Sequence, residues 1–414
     1  MQVLIIAYVW PEPDSSAAGS RMMQLISFFQ RQGWQVTFAS PAADSSHSVD
    51  IESLGVRKVS IELNNASFDR FIAGLAPELV MFDRFMMEEQ FGWRVEQQCP
   101  QALRILETSD LHCLRDARHR AVKAGRPMTT ADLFSDLAKR EVAAILRCDL
   151  SLMISDVEIE LLTERFGVAP ALLHHLPFML DPVDPDSTGW PGFAERQHFV
   201  SIGNFRHAPN WDAVLQLRHD IWPRIRARLP DAQLQVYGAY APPKATQLDK
   251  PKQGFHVLGW APDAVQVMRQ ARVCLAPLRF GAGIKGKLVD AMRCGTPSVT
   301  TSVGAEAMHG DLPWGGAVED DAEAFAAAAV ALYRDEAAWR QAQARGVQIL
   351  NQFYDRNRHE PALLARLQQL CATLDEQRLN NFTGAMLRHH SMKSTQYMAQ
   401  WIEAKNKVSD QSDD

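Results

Sequence analysis

Short apolar runs rich in β-branched residues alternate with helical stretches along most of this 414-residue chain. That alternation restricts it to a parallel-sheet α/β architecture. Val3-Leu-Ile-Ile-Ala-Tyr-Val9 reads as a buried strand, followed by a loop of Pro, Ser, Ala and Gly. A helix is expected from Gly19 to Gln32 and the next strand over Gly33–Ala39. Strand, small-residue loop, helix and strand within about 40 residues make one βαβ unit. Leu79–Phe82, Arg104–Glu107 and Asp149–Ile154 read as further parallel strands.

The pattern restarts after a loop rich in Pro, Asp and Gly at Asp181–Gly192. Strands are expected at His198–Ile202, Ala232–Tyr237, Gly254–Leu258, Val273–Pro277 and Pro297–Thr301, with helices over Trp211–Leu229 and Ile284–Cys294. A chain this long exceeds one ordinary core. The expected division is a first Rossmann-like domain over 1–190 and a second over 191–355. A helix at 356–378 would return toward the first domain, and 379–414 would form an amphipathic helical tail with a disordered end, Ser409–Asp414. Two such domains leave a cleft between the carboxyl ends of their sheets, where ligands of doubly wound folds bind.

Net charge is −6, which disfavours nucleic acid as a partner without closing that option. Six cysteines lie far apart with no C-x-x-C pair, fitting reduced thiols rather than a disulfide scaffold or zinc site. The apolar start halts at Trp10-Pro11 with no basic flank, and no run reaches the ~18 apolar residues of a membrane span. The expected location is cytoplasmic.

The densest chemistry lies in Pro277-Leu-Arg-Phe-Gly-Ala-Gly-Ile-Lys-Gly-Lys-Leu-Val-Asp290, which continues through Gly295-Thr-Pro297 into a strand. Gly281 and Gly283 allow close backbone approach, and the helix beginning near Ile284 offers free N–H groups and a positive dipole end to a phosphate. Lys285 and Lys287 add charge there, and Asp290 can accept two hydrogen bonds from a ribose diol. A plain glycine turn with surface lysines is the simpler reading; the added carboxylate and Gly-Thr-Pro stop weigh against it.

These residues, with Gly304-Ala-Glu306, Ser201-Ile-Gly203 through Asp212 and Val257-Leu-Gly-Trp260, resemble the retaining GT-B glycosyltransferases of family four, the group 1 transferases. The resemblance is strong in the second domain and looser in the first, at Glu107–Arg115 and Ser155–Glu158. It implies a GT-B fold: two Rossmann-like doubly wound parallel-sheet domains facing a cleft, with a helical C-terminal extension. It also implies an NDP-sugar donor, with Asp290 on ribose, Lys285 and the Gly283–Ile284 backbone on the diphosphate, and Gly259–Trp260 near the base. Gly203 opens the donor domain. From the first domain, the Gly19 loop would approach the diphosphate, with Arg21 as a further charge, and His112 the sugar. No cofactor or metal is expected beyond the donor, because no Asp-x-Asp stands in the second domain. The acceptor is left open among a glycan, a lipid-linked sugar and another anionic molecule.

The chain departs from the family where Phe280 stands near the place of a first glutamate, and where Asn204 and Asn210 replace an Arg/Lys pair. Arg206 and the two lysines are the candidates for the missing charge. Asp110 would orient His112 or pair with Arg115. Arg84, Glu88 and Glu89 would line the acceptor side or simply face water, and His174-His175 lacks partners at metal-ligand spacing. In the tail, Met386, Leu387, Tyr397, Met398, Trp401 and Ile402 recur at helical spacing among Arg388, His389, His390 and Lys393. That helix would dock its apolar side on the protein body, or meet an anionic acceptor or make peripheral contact with a membrane surface. A non-catalytic nucleotide-sugar-binding module and an NDP-sugar epimerase are alternatives on the same plan.

Overall fold

The computed structural model describes residues 1–410, with side chains described at all of these except 390–392 and 407–410. The side chain of His390, and residues 411–414 of the expected disordered end Ser409–Asp414, lie outside the described residues.

The first sheet has seven parallel strands: β1 (Gln2–Ile6), β2 (Gln35–Ser40), β3 (Arg57–Ser60), β4 (Leu79–Asp83), β5 (Leu103–Glu107), β6 (Leu150–Met153) and β7 (Leu173–His175), in the order β3-β2-β1-β4-β5-β6-β7. The second has six: β8 (Gln197–Ile202), β9 (Leu234–Tyr237), β10 (Phe255–Gly259), β11 (Ala271–Ala276), β12 (Ser298–Thr300) and β13 (Gly316–Val318), in the order β10-β9-β8-β11-β12-β13. Each order reverses direction once, at β1/β4 and at β8/β11. Loops leaving the strands on either side of such a reversal diverge and open a crevice. The loops after β1, β4, β5, β8 and β11 carry almost every residue of interest.

The apolar runs form strands because helices cover both faces of each sheet. Val3 to Ile6 and all of β4 are buried, as continuous β-branched and aromatic runs in a parallel sheet should be. β1 stops at Ile6, short of Val9, because Tyr8 and Val9 turn out to solvent and Pro11 cannot extend a ladder. β3 and β13 escape the hydrophobic pattern. The first is a polar edge strand, Arg-Lys-Val-Ser, and the second has three residues. The alanine-rich stretch is two helices, Ala322–Arg334 and Glu336–Phe353. Asp335 divides them by accepting from the amides of Ala337 and Ala338 at 2.9 and 3.0 Å.

The chain crosses between the sheets twice, side by side. Leu180 donates its amide to Tyr354 O at 2.7 Å and accepts from Arg356 N at 2.8 Å. The helix Arg356–Ala372 then sinks Leu363, Leu367 and Leu370 into the first sheet's core beside Val3 and Ile5. The last helix, Phe382–Asp410, lies on the helices Phe85–Gln98 and Asp136–Arg147. Its docking face differs from the expected one. Ala399 and Arg388 turn inward, while Phe382, Met386, Tyr397, Met398 and Trp401 are exposed.

Candidate active site

The loops after β5 and β11 meet in the cleft. Past Ala276 the chain turns through Gly283, whose φ of +61° is a left-handed value that favours glycine. A β-carbon at this position would stand 2.9 Å from Cβ of Asp110 in the first domain. The Gly283 amide donates to Glu158 Oε1 at 2.8 Å, and the same oxygen accepts from Leu111 N at 2.9 Å. The helix Gly286–Arg293 follows, starting against the first helix, Ala17–Arg31. A β-carbon on Gly286 would fall 2.4 Å from that of Ala17. Lys285 occupies the N-cap without a side-chain cap. Among the described residues, no acceptor engages the amides of Lys285, Gly286 and Lys287.

Two lysines flank these amides. Lys285 is 8% exposed and donates Nζ to Gly283 O at 2.6 Å. Burial pushes its ammonium down to about 8 against the opposing pull of Glu306. Lys287 donates to Asn210 Oδ1 at 2.7 Å, and burial pushes it to about 8 as well. Asn210 in turn donates to Asn204 O at 3.0 Å. The asparagine pair thus holds a lysine reaching in from the neighbouring helix. Gly203 lies directly beneath, since a β-carbon there would meet Lys287 Nζ at 2.7 Å.

His112 opens the helix His112–Lys123, whose first amides are capped by buried carboxylates. Glu141 accepts from His112 N and Cys113 N at 2.9 and 2.8 Å. Burial raises Glu141 to about 7 and Glu158 to about 8, the latter with help from Asp110. Asp110 serves both partners weighed for it. One oxygen is 3.5 Å from His112 Nε2 and the other pairs with Arg115. Burial pulls the Asp110 carboxyl up, but Arg115 and His112 outweigh it and hold it well below the usual carboxylate range. His112, edge-on to Phe85 at 5.6 Å, is pushed down to about 4 by burial, so its imidazole is neutral at pH 7.

The rim is aromatic. His47 of the first domain lies 5.2 Å from the Tyr240 ring and 4.9 Å from Trp260. Arg206 stacks on Tyr240 at 3.7 Å, and the Tyr240 hydroxyl donates to Glu12 at 2.8 Å. Gly259, with φ of +75°, ends β10 beside Trp260. Asp290 is open to solvent, yet surrounding protein crowds it enough to raise its carboxyl; Arg293 is 3.5 Å away. Gly281 accepts from Arg118 through its carbonyl at 2.8 Å, and Arg118 also clamps Glu306 at 2.6 and 2.8 Å.

Several expected contacts are otherwise engaged. Arg21 is buried, bonded to Glu107 at 2.7 and 3.0 Å and to Pro177 O at 3.0 Å, so it is a core pin rather than a donor contact. Gly19 packs under the doubled-back loop, where a β-carbon would meet the Glu12 backbone at 2.4 Å. The Gly283 amide, expected to face a diphosphate, is held by Glu158, while Ile284 is buried with Leu288 and Val289 in an apolar cluster that also takes in Ile154 and Phe178 of the first domain. Phe280 stacks on His119 at 4.3 Å across the domain boundary. Glu88 pairs with buried Arg147 and Glu89 with Arg140, so neither faces the cleft freely. His174 and His175 lie on β7. Among the described residues, no group of three or more His, Cys, Asp or Glu is placed to share a metal ion. Sequence reasoning missed Glu141 and the Arg118–Glu306 clamp. The only signal for the clamp was Glu306 in its Gly-Ala-Glu motif.

The sequence family described as glycosyl transferases group 1 matches residues 196–335, about a third of the chain, including the whole lysine-bearing turn. The second domain is a group 1 glycosyltransferase domain. With its two facing sheets the chain is a GT-B glycosyltransferase, and solved structures share that fold over nearly its whole length. Sucrose-phosphate synthase from Thermosynechococcus elongatus is 16% identical with a TM-score of 0.65, covering 90% of this chain and 100% of that one. HepE of Anabaena in complex with UDP is 14% identical with a TM-score of 0.63, covering 91% and 100%. A glycosyltransferase from Rickettsia africae is 9% identical with a TM-score of 0.63, covering 89% and 98%. No curated protein matches the transferase in sequence. No described helix of the transferase is long and apolar enough to cross a membrane.

Proposed function

We propose that this glycosyltransferase moves a sugar from a nucleoside-diphosphate donor to an acceptor hydroxyl with retention of anomeric configuration. The observation that carries the reading is the meeting of the helix start at 285–287, two lysines and open amides together, with the Asp110–His112 loop of the other domain. A diphosphate laid on that helix start gains both ammoniums and the positive end of the dipole. Its ribose reaches Asp290, its base the Gly259–Trp260 wall, and the sugar faces neutral His112. The C1–oxygen bond breaks and its electron pair leaves with the diphosphate. The acceptor oxygen bonds C1 on the same face, and its proton passes to the departing phosphate oxygen. Lys285, Lys287 and the amides stabilise the charge that gathers there, so catalysis is electrostatic, and no metal or covalent carboxylate is invoked.

HepE, similar in fold, is in complex with UDP, so UDP-sugars are the first donors to test. The acceptor is a glycan, a lipid-linked sugar or another anionic molecule entering from the first domain. Six free cysteines, four of them buried, suit a reducing cytoplasm. A thermal-shift screen against UDP-, GDP-, ADP- and dTDP-sugars should raise Tm with one base. NMR of the product should then give the donor's anomeric configuration. No shift with any donor would overturn the donor reading, and an inverted product would overturn retention.

A further inference from the structure

The helix Phe382–Asp410 has two unlike faces. Inward, Ala399 packs on Trp93, Arg388 pairs with Glu96 at 3.4 Å and donates to Arg147 O at 3.2 Å, and Glu403 stands 3.6 Å from Arg94. Outward stand Phe382, Met386, Tyr397 and Trp401, exposed by 76, 47, 63 and 60%. Four-residue steps within each pair, and three full turns between them, keep these side chains on one side of the helix. Leu379, 80% exposed, extends the stripe just before the helix. Each such side chain forgoes a substantial hydrophobic gain by staying in water, and contiguous exposure of this kind marks an interaction surface.

The charges on this face select the partner. Lys393 is exposed between Met386 and Tyr397, and Lys405 lies 5.5 Å over the Trp401 ring. Glu403, the helix's one acidic side chain among those described, is turned inward to Arg94. Beside the stripe is a cavity of about 400 Å³ lined by Trp93, Glu96, Arg388, His389 and Lys393. The buried Trp93 Nε1 on its wall has no acceptor. The chain as a whole carries −6, so this cationic, aromatic ridge is a local exception.

We infer that the outer face of this helix docks the protein on an anionic lipid surface, with a headgroup phosphate in the cavity under Arg388 and Lys393. Tyr and Trp pair an apolar body with a polar tip, and lysine stems lie along apolar surface while their ammoniums stay at headgroup level. A lone helix on the back of two others is a convex ridge, a shape that sinks into a lipid interface and gives a protein partner little to enclose. The helix beneath it, Phe85–Gln98, begins at Phe85 beside His112. Docking therefore brings the first-domain side of the cleft toward the lipid. The inference stands on the helix alone and does not depend on the transferase reading.

The full chain should float with phosphatidylcholine–phosphatidylglycerol vesicles and stay behind with phosphatidylcholine alone. Lys393→Glu and Lys405→Glu should each weaken binding by roughly fivefold or more. Tyr397→Ser with Trp401→Ser should abolish it, with Tm unchanged because these positions face outward. Flotation unaffected by the serine pair would overturn the inference. So would absent flotation accompanied by self-association in sedimentation equilibrium, which would make the face a contact between copies. A Tm rise with inorganic phosphate but no vesicle binding would also overturn it, leaving a free-phosphate site.

Discussion

The Gly283 amide of the second domain donates to Glu158 of the first at 2.8 Å, deep in the cleft, on an oxygen already accepting from Leu111. One buried carboxylate thus joins the lysine-bearing turn to the loop that carries His112.

Removing that acceptor should loosen the closed arrangement. Glu158→Ala strands two buried amides and should cost about 1–3 kcal/mol. Chemical denaturation would read the loss, and small-angle scattering would read a larger radius of gyration. Glu158→Gln keeps an acceptor oxygen and should remain compact. If it opens like the alanine variant, hydrogen-bond acceptance is not what holds the cleft.

The same group ties stability to pH. Its folded value of about 8 lies above the usual 4.5, so the folded state holds the proton more tightly. That contribution is complete below about 4.5 and is lost as pH rises through about 8. Glu158→Gln should flatten the fall of stability across this window in denaturant titrations. An unchanged slope would assign the pH dependence to another group.

Donor affinity should weaken as pH rises through about 8, because Lys285 and Lys287 lose their charge there in the free protein. Calorimetric titration with the matched nucleotide diphosphate would show it. Lys285→Arg should move the inflection upward, and Lys285→Ala should lower kcat/KM by roughly a hundredfold. Equal affinity for the nucleotide across the range would remove the lysines from the diphosphate site.

His112 and Arg21 should separate chemistry from folding. His112→Ala should leave Tm nearly unchanged and lower kcat about a hundredfold. Arg21→Ala breaks a buried pair with Glu107 and should cost about 3–5 kcal/mol of stability, with donor affinity kept in the folded fraction. A stable Arg21→Ala protein that loses its donor would return Arg21 to the site.

How far the sequence reveals this site depends on whether each contact is local. The turn from Pro277 to Thr301 is legible because its strand, glycines, lysines and helix stop are consecutive. Glu158 and Gly283 are 125 residues apart, and no spacing rule relates them. Arg21 looked like a free charge near a ligand loop because nothing nearby in sequence suggests Glu107 as its partner. Phe280 reads as a missing glutamate until its stacking on His119 gives the ring a place. Edge strands β3 and β13 are short or polar, so they lack the apolar run that identifies the others. On the last helix, the spacing of the apolar residues was readable. Which side the protein body covers was set by Trp93, Glu96 and Arg94, which belong to another helix.

The paired crossing at Leu180 and Tyr354–Arg356 makes the second domain an insert within an otherwise continuous first one. The two halves are thus joined through two neighbouring segments of chain, with Lys285 on one side of the crossing and His112 on the other. Both ends of the insert also lie beside one another, at Leu180 and Tyr354–Arg356, so exchanging it as a block would need only two neighbouring junctions and would leave every strand of the first sheet unbroken.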